Sequence, residues 1–310
     1  MNPEEFINID DNREIMPVLK KFASAHLSPR ERRDALENAG IESSFLDKLK
    51  YDLPADSFVL NLLAKIRDFR VSESRLDYHP LMRLLDFMEM FKDIYSLDDR
   101  EKHVCKMFIS RGQENFRILK ARSAVVRIES PCETGIGTGV LIRNGLLLTC
   151  FHVLNNLSQA WVRFGYYDDS RLEKDWNLYE LDLDSIKGTM RPDYALVKIK
   201  EPPERSPVSI SWEILSSSKE YQARMLHHPG GKCLKISEPG QITQVGENYI
   251  DHTIKTCKGS SGAPVFNKKW ELTAIHRGIP GTGRTIEQGT TEAVPIRILK
   301  EKLAVFIDEE

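Results

Sequence analysis

Near residue 118 the hydrophobic pattern changes period, and a chain that does this must fold as two differently built parts. Before that point apolar residues recur every three or four places. Ile15, Leu19 and Phe22 share one face. Pro54 opens a segment carrying Val59, Leu62, Leu63, Ile66 and Phe69, and Pro80 opens another with Leu81, Leu84, Leu85, Met88 and Phe91. Proline suits a first helical turn, where its missing N–H is not needed. Ser96 is a candidate cap for a last helix through Val104, Phe108 and Ile109, and Gly112 a candidate end. Arg30-Glu31-Arg32-Arg33 reads as solvated helix surface. The expectation is a bundle of five or six short helices.

After residue 120 the period becomes two. SAVVRI, TGVLIR, LLLTC, AWVRFGYY, YALVKIK, ARMLHH, CLKIS, QITQV, YIDHTI, APVF and LTAIHR are strand candidates. Asn144-Gly145 signals a hairpin between two of them. About a dozen short strands, then a helix near IRILKEKLAVFI, predict a β-sandwich or barrel. The expected domains are 1–118, helical, and 119–310, mostly β, with the junction in the polar stretch 115–122.

Composition narrows the function classes. A net charge of -2 gives no basic field for nucleic acid or an anionic membrane. The segment MNPEEFINID lacks an apolar signal core, and no apolar run reaches the roughly 18 residues of a membrane span. Five cysteines without a CxxC pair argue against a disulfide framework and a structural zinc site, and fit a reducing cytoplasm. His227-His228 point to opposite faces of a strand with no third ligand at a suitable spacing, and His26, His79 and His103 form no cluster. No cofactor and no metal are expected.

Three stretches of the β half belong together. GTGVLIRNGLLLTCFHVL carries His152 just after a buried strand, RPDYALVKI carries Asp193 at the start of a strand, and CKGSSGAPVF carries Ser260 and Ser261. A serine hydroxyl is a poor nucleophile at neutral pH. It needs a neutral imidazole to take its proton and a carboxylate to fix the imidazole tautomer. Each signal alone is ordinary structure. The order His, Asp, Ser, with separations of about 40 and about 70 residues, is much more specific.

That order and wording resemble the chymotrypsin-fold, or trypsin-like, serine proteases over about residues 123–305. The resemblance implies two six-stranded β-barrels with the active site between them. It makes Ser261 the nucleophile, because Gly262-Ala263-Pro264 follow it, with His152 as general base and Asp193 orienting His152. The backbone N–H groups of Gly259 and Ser261 would form the oxyanion hole. Family members activated by clipping carry an acid just before the nucleophile. Ser260 stands there and cannot pair with a new N-terminal amine. Activation independent of such an amine is therefore expected.

HHPGGKCLKIS, GENYIDHTIKT, the serine box and LTAIHRGI follow the layout of bacterial glutamyl endopeptidases. By that resemblance Thr256 and His276 would recognise an acidic P1 side chain, and Lys255 would add a basic group in place of the trypsin aspartate. The alternative leaves Lys255 and Arg277 in solvent and the pocket open to small or apolar residues. In the helical half, LPADSFVLNLLAKIRDF, HPLMRLLDFM and RGQENF resemble the effector-associated, death-like domains of prokaryotic conflict systems. This implies recruitment through a homotypic or NTPase-sensor partner. The expected function is a cytoplasmic serine endopeptidase acting on a protein or peptide substrate. The alternatives are a silent pseudo-protease that binds peptides as a scaffold, and a helical adaptor with merely structural barrels.

Overall fold

The computed structural model describes residues 3–168, 177–213, 222–278 and 288–307. The chain divides into two compact units, Met1–Leu119 and Lys120–Glu310.

The first unit is built from α1 (Asn12–Ala25), α2 (Pro29–Asn38), α3 (Ser43–Leu46), α4 (Ala55–Asp68), α5 (Pro80–Met90) and the start of α6 (Asp99–Ser123). The periodic apolar residues form its core: Ile15, Leu19, Phe22, Phe58, Leu62, Leu81, Leu85 and Phe108 are all fully buried. Pro80 takes the first turn of α5, and the His79 ring caps that helix by accepting the Leu81 N–H at 3.2 Å.

Three readings of this half need correction. Ser96 does not cap α6. Asp98 and Glu101 do so reciprocally, at 2.8 and 2.9 Å. Gly112 does not end α6; it sits where a Cβ would lie 1.9 Å from Met82 Sδ, so it permits close packing instead. Arg32 is not solvated. It is buried, donates to the carbonyls of His26, Tyr51 and Leu53, and lies 4.7 Å over the Phe58 ring.

The second unit holds two barrels. β1 (Val125–Glu129), β2 (Gly135–Arg143), β3 (Leu146–Thr149), β4 (Trp161–Arg163), β5 (Leu178–Met190) and β6 (Asp193–Ile199) close in the order β1-β2-β3-β6-β5-β4. Gly145, at φ +70°, makes the β2–β3 turn, as Asn-Gly predicts. A short helix, α7 (Phe151–Leu154), follows β3.

β7 (Gln222–His227), β8 (Lys235–Ile236), β9 (Gly240–Val245), β10 (Ile250–His252), β11 (Pro264–Phe266), β12 (Leu272–Gly278) and β13 (Thr291–Pro295) make the other sheet. Its order is β11-β12-β13-β10-β9-β7-β8. The β11–β7 pairing closes a six-stranded ring and leaves β8 at the edge. A 3-10 turn at Ile296–Leu299 leads into α8 (Lys300–Ile307). Ala223, Met225, Ile242, Ile250, Val265 and Ala274 fill this barrel. The second unit has the double six-stranded barrel of the chymotrypsin fold, and the first is a helical bundle. Among the described residues no helix is long and apolar enough to cross a membrane.

Candidate active site

The two barrels of the second unit meet through a small set of contacts. The His276 carbonyl on β12 accepts the Cys150 thiol at 3.2 Å and the Gly262 N–H at 2.8 Å. Cys150 lies two residues before His152, and Gly262 directly follows Ser261. His152, carried by the first barrel, and Ser261, carried by the second, each lie within two residues of a group held on that one carbonyl.

Asp193, at the start of β6, is buried and grips His152 twice. One carboxylate oxygen accepts the His152 backbone N–H at 3.0 Å, and the other faces Nδ1 at 2.5 Å. Burial alone would raise the Asp193 carboxyl. The His152 hydrogen bonds and charge and the nearby Arg277 guanidinium outweigh it, and Asp193 titrates below its ordinary value. An ionised Asp193 holds the imidazole proton on Nδ1 and leaves Nε2 as the basic nitrogen.

The two serines have different surroundings. Ser260 is fully buried, with its hydroxyl 2.8 Å from His227 Nδ1 and accepting the Cys257 N–H at 3.3 Å. Burial depresses His227 to about 4, so the ring is neutral at physiological pH. Ser261 is half-buried, and among the described residues its hydroxyl has no hydrogen-bond partner.

The backbone of this box is held in an unusual shape. Gly259 has φ +88°, and a Cβ there would lie 2.6 Å from both Gly231 N and His228 O. Only glycine fits that conformation and space. The Lys258 carbonyl is taken by the Gly230 N–H at 2.6 Å. A trans peptide points its N–H opposite to its carbonyl, so the Gly259 N–H faces away from the 228–231 loop. Among the described residues neither the Gly259 nor the Ser261 N–H finds an acceptor. Two adjacent donors left free beside a serine can stabilise an oxyanion.

Of the residues expected at the P1 pocket, His276 is buried, Thr256 half-buried and Lys255 exposed. His252 Nδ1 accepts the Ile254 N–H at 3.2 Å, so its proton sits on Nε2, which faces His276 Nδ1 at 3.2 Å. A neutral His276 then carries its own proton on Nε2, and burial keeps its pKa well below the ordinary histidine value. Arg277 is not in solvent. Its side chain is 10% exposed, lies 3.3 Å from Asp193 and pairs with Glu292 at 2.9 Å. Sequence reasoning missed this link, because nothing in LTAIHRGI distinguishes a buried ion pair from a free arginine. The last residue of that stretch, Ile279, lies outside the described residues.

Cys150, His152 and Asp193 place potential metal-ligand atoms within 4.8 Å of one another. Two features oppose a cation there. Burial raises the Cys150 thiol well above its ordinary value, and Arg277 already puts a positive charge on Asp193.

Residues 137–275 match the family model of the trypsin-like peptidase domain, and residues 10–122 match effector-associated domain 8. Each match covers less than half of the chain, so the first stretch is similar to a trypsin-like peptidase domain and the second to an effector-associated domain 8. Two curated relatives are similar to about half of the chain. Over 162 residues the chain is 24% identical to the glutamyl endopeptidase of Staphylococcus aureus (strain MW2), covering 49% of this chain and 50% of the relative. Over 192 residues it is 31% identical to the uncharacterized protein y4fB of Sinorhizobium fredii, covering 53% of this chain but 29% of that protein. It thus spans half or less of either relative's length. The serine endoprotease from Yersinia pestis shares the peptidase fold with a TM-score of 0.50 at 20% identity, covering 63% of this chain and 67% of that one.

Proposed function

We propose that the chain is a serine endopeptidase with Ser261 as nucleophile. The observation that carries this reading is the contrast within one box: Ser260 is buried and bonded, whereas among the described residues the Ser261 hydroxyl and the Gly259 and Ser261 N–H groups have no hydrogen-bond partner. In the proposed reaction His152 Nε2 takes the Ser261 proton as Oγ attacks the peptide carbonyl. Asp193 stabilises the imidazolium that forms. The Gly259 and Ser261 N–H groups bind the developing oxyanion, each such donor being worth about 3–4 kcal/mol. His152 then protonates the leaving amine, and water repeats the sequence on the acyl-enzyme.

The reading extends to specificity and recruitment. A proton on His276 Nε2 would suit a carboxylate at P1, with Thr256 as a second donor, and the similarity to glutamyl endopeptidases favours the same side chain. Lys255 is exposed and would act on substrate charge at longer range. Ser260 occupies the acid position and is already satisfied by His227, so activation would not require a freshly cut amine. The effector-associated domain would bring the peptidase to a partner bearing a similar domain, or to an NTPase sensor, in the cytoplasm.

A fluorophosphonate probe and a peptide library test the proposal together. Wild type and Ser260→Ala should label, and Ser261→Ala should lose labelling and essentially all cleavage. Cuts should fall after Glu or Asp. An unlabelled wild type would favour a peptide-binding scaffold, and predominant cleavage after Lys or Arg would refute the acidic pocket.

A further inference from the structure

Four peptide units connect Lys258 to Gly262, and each can be followed through its carbonyl. The Lys258 carbonyl accepts the Gly230 N–H at 2.6 Å, and the Ser260 carbonyl accepts the Ala263 N–H at 3.0 Å. The other two, Gly259 and Ser261, end on a single residue of the first barrel. Thr138 Oγ1 donates to the Gly259 carbonyl at 2.8 Å, and the Thr138 N–H donates to the Ser261 carbonyl at 2.9 Å. Thr138 lies on β2 and is fully buried.

The same hydroxyl accepts the His228 N–H at 3.1 Å, which leaves its own proton for Gly259. His228 begins the loop whose Gly230 holds the Lys258 carbonyl. One hydroxyl therefore fixes Gly259 directly and the Lys258–Gly259 peptide through that loop. Thr138 is itself anchored, because its carbonyl accepts the Thr149 hydroxyl at 2.8 Å. Arg127, paired with the buried Glu129, steadies the far side of the loop through the Gly231 carbonyl at 2.8 Å.

We propose that Thr138 is the positioning residue of the oxyanion hole: with every carbonyl of the stretch turned toward a fixed donor, the Gly259 and Ser261 N–H groups are left pointing together at the reacting oxygen. This rests on the reading of Ser261 as nucleophile. Thr138 touches no reacting atom and acts only through the backbone it holds.

The test separates binding from the chemical step in fluorophosphonate inactivation, whose phosphoryl oxygen must enter the hole. Thr138→Val keeps the shape and the backbone N–H but loses the hydroxyl, while Thr138→Ser keeps it. In Thr138→Val the limiting inactivation rate should fall about 10- to 100-fold with the inhibitor's half-saturating concentration within about threefold. Thr138→Ser should stay within about threefold of wild type on both. An unchanged limiting rate in Thr138→Val, or Thr138→Ser losing as much as Thr138→Val, would overturn the proposal. A wild type that does not react would defeat the peptidase reading. The role of Thr138 would then be decided by a crystal structure of Thr138→Val: a rotated Lys258–Gly259 peptide supports it, and a Lys258 carbonyl still on Gly230 overturns it.

Discussion

Gly259 and Ser260 show how closely the serine box is specified. A side chain at 259 would meet two backbone atoms at 2.6 Å, neither of which can move without dragging the 228–231 loop. Gly259→Ala should therefore lower kcat about 10²- to 10³-fold, as expected for a lost oxyanion donor, with KM much less affected; steady-state kinetics on a cleavable peptide reads this. The resemblance offers Ser261 rather than Ser260 as nucleophile because Gly262-Ala263-Pro264 follow it. The partner of Ser260 was not legible in the sequence, because His227 lies 33 positions away and reads as an ordinary strand residue. Arg277 was illegible for the same reason. Its two carboxylate partners come from β6 and β13, and only the meeting of the barrels brings them to it.

Elements with a buried apolar face were read well, and those without one were not. β5 was missed although Tyr179, Leu181 and Leu183 alternate with Glu180, Asp182 and Asp184, because most of its residues are half-exposed and its pairing with β6 shifts register between Asp182 and Lys187. β13 was missed because Glu292 interrupts its apolar residues, a charge that pairs with Arg277 on β12. In the helical half the beginnings of helices were harder to place than their faces. Ser96 and Asp98 are both plausible caps on composition, and the geometry favours Asp98 through its exchange with Glu101. Asp98→Ala should cost about 1 kcal/mol, and Ser96→Ala a few tenths at most. Urea denaturation of the full chain distinguishes the two.

At the scale of the molecule, the buried histidines govern acid stability. Burial depresses His227 to about 4, His228 to about 3 and His252 to about 4, and holds His276 well below the ordinary value of 6.5. His79 in the bundle is likewise depressed to about 3. The unfolded chain binds these protons near pH 6.5, whereas the folded chain refuses them until about pH 4 or below. Between those limits the unfolded state carries more protons, so stability falls as pH falls, by up to about 1.4 kcal/mol per pH unit for each histidine. Above pH 6.5 this contribution is flat. Melting temperatures from pH 8 to 4 should show a plateau followed by a steep decline starting near 6.5. A decline beginning only near pH 4 would point to carboxylates instead.

The grip of Thr138 on the serine box has a further meaning for how such a chain comes into being. Synthesis runs from the N-terminus, so the barrel carrying His152 and Asp193 is made before Ser261 has been translated. The serine, once made, would have a working backbone only after its barrel closes against the first. On the proposed reading neither half would hold a usable nucleophile by itself. The chain would behave as a two-key lock, inert while nascent, inert as a fragment, and competent only when both barrels are present and joined.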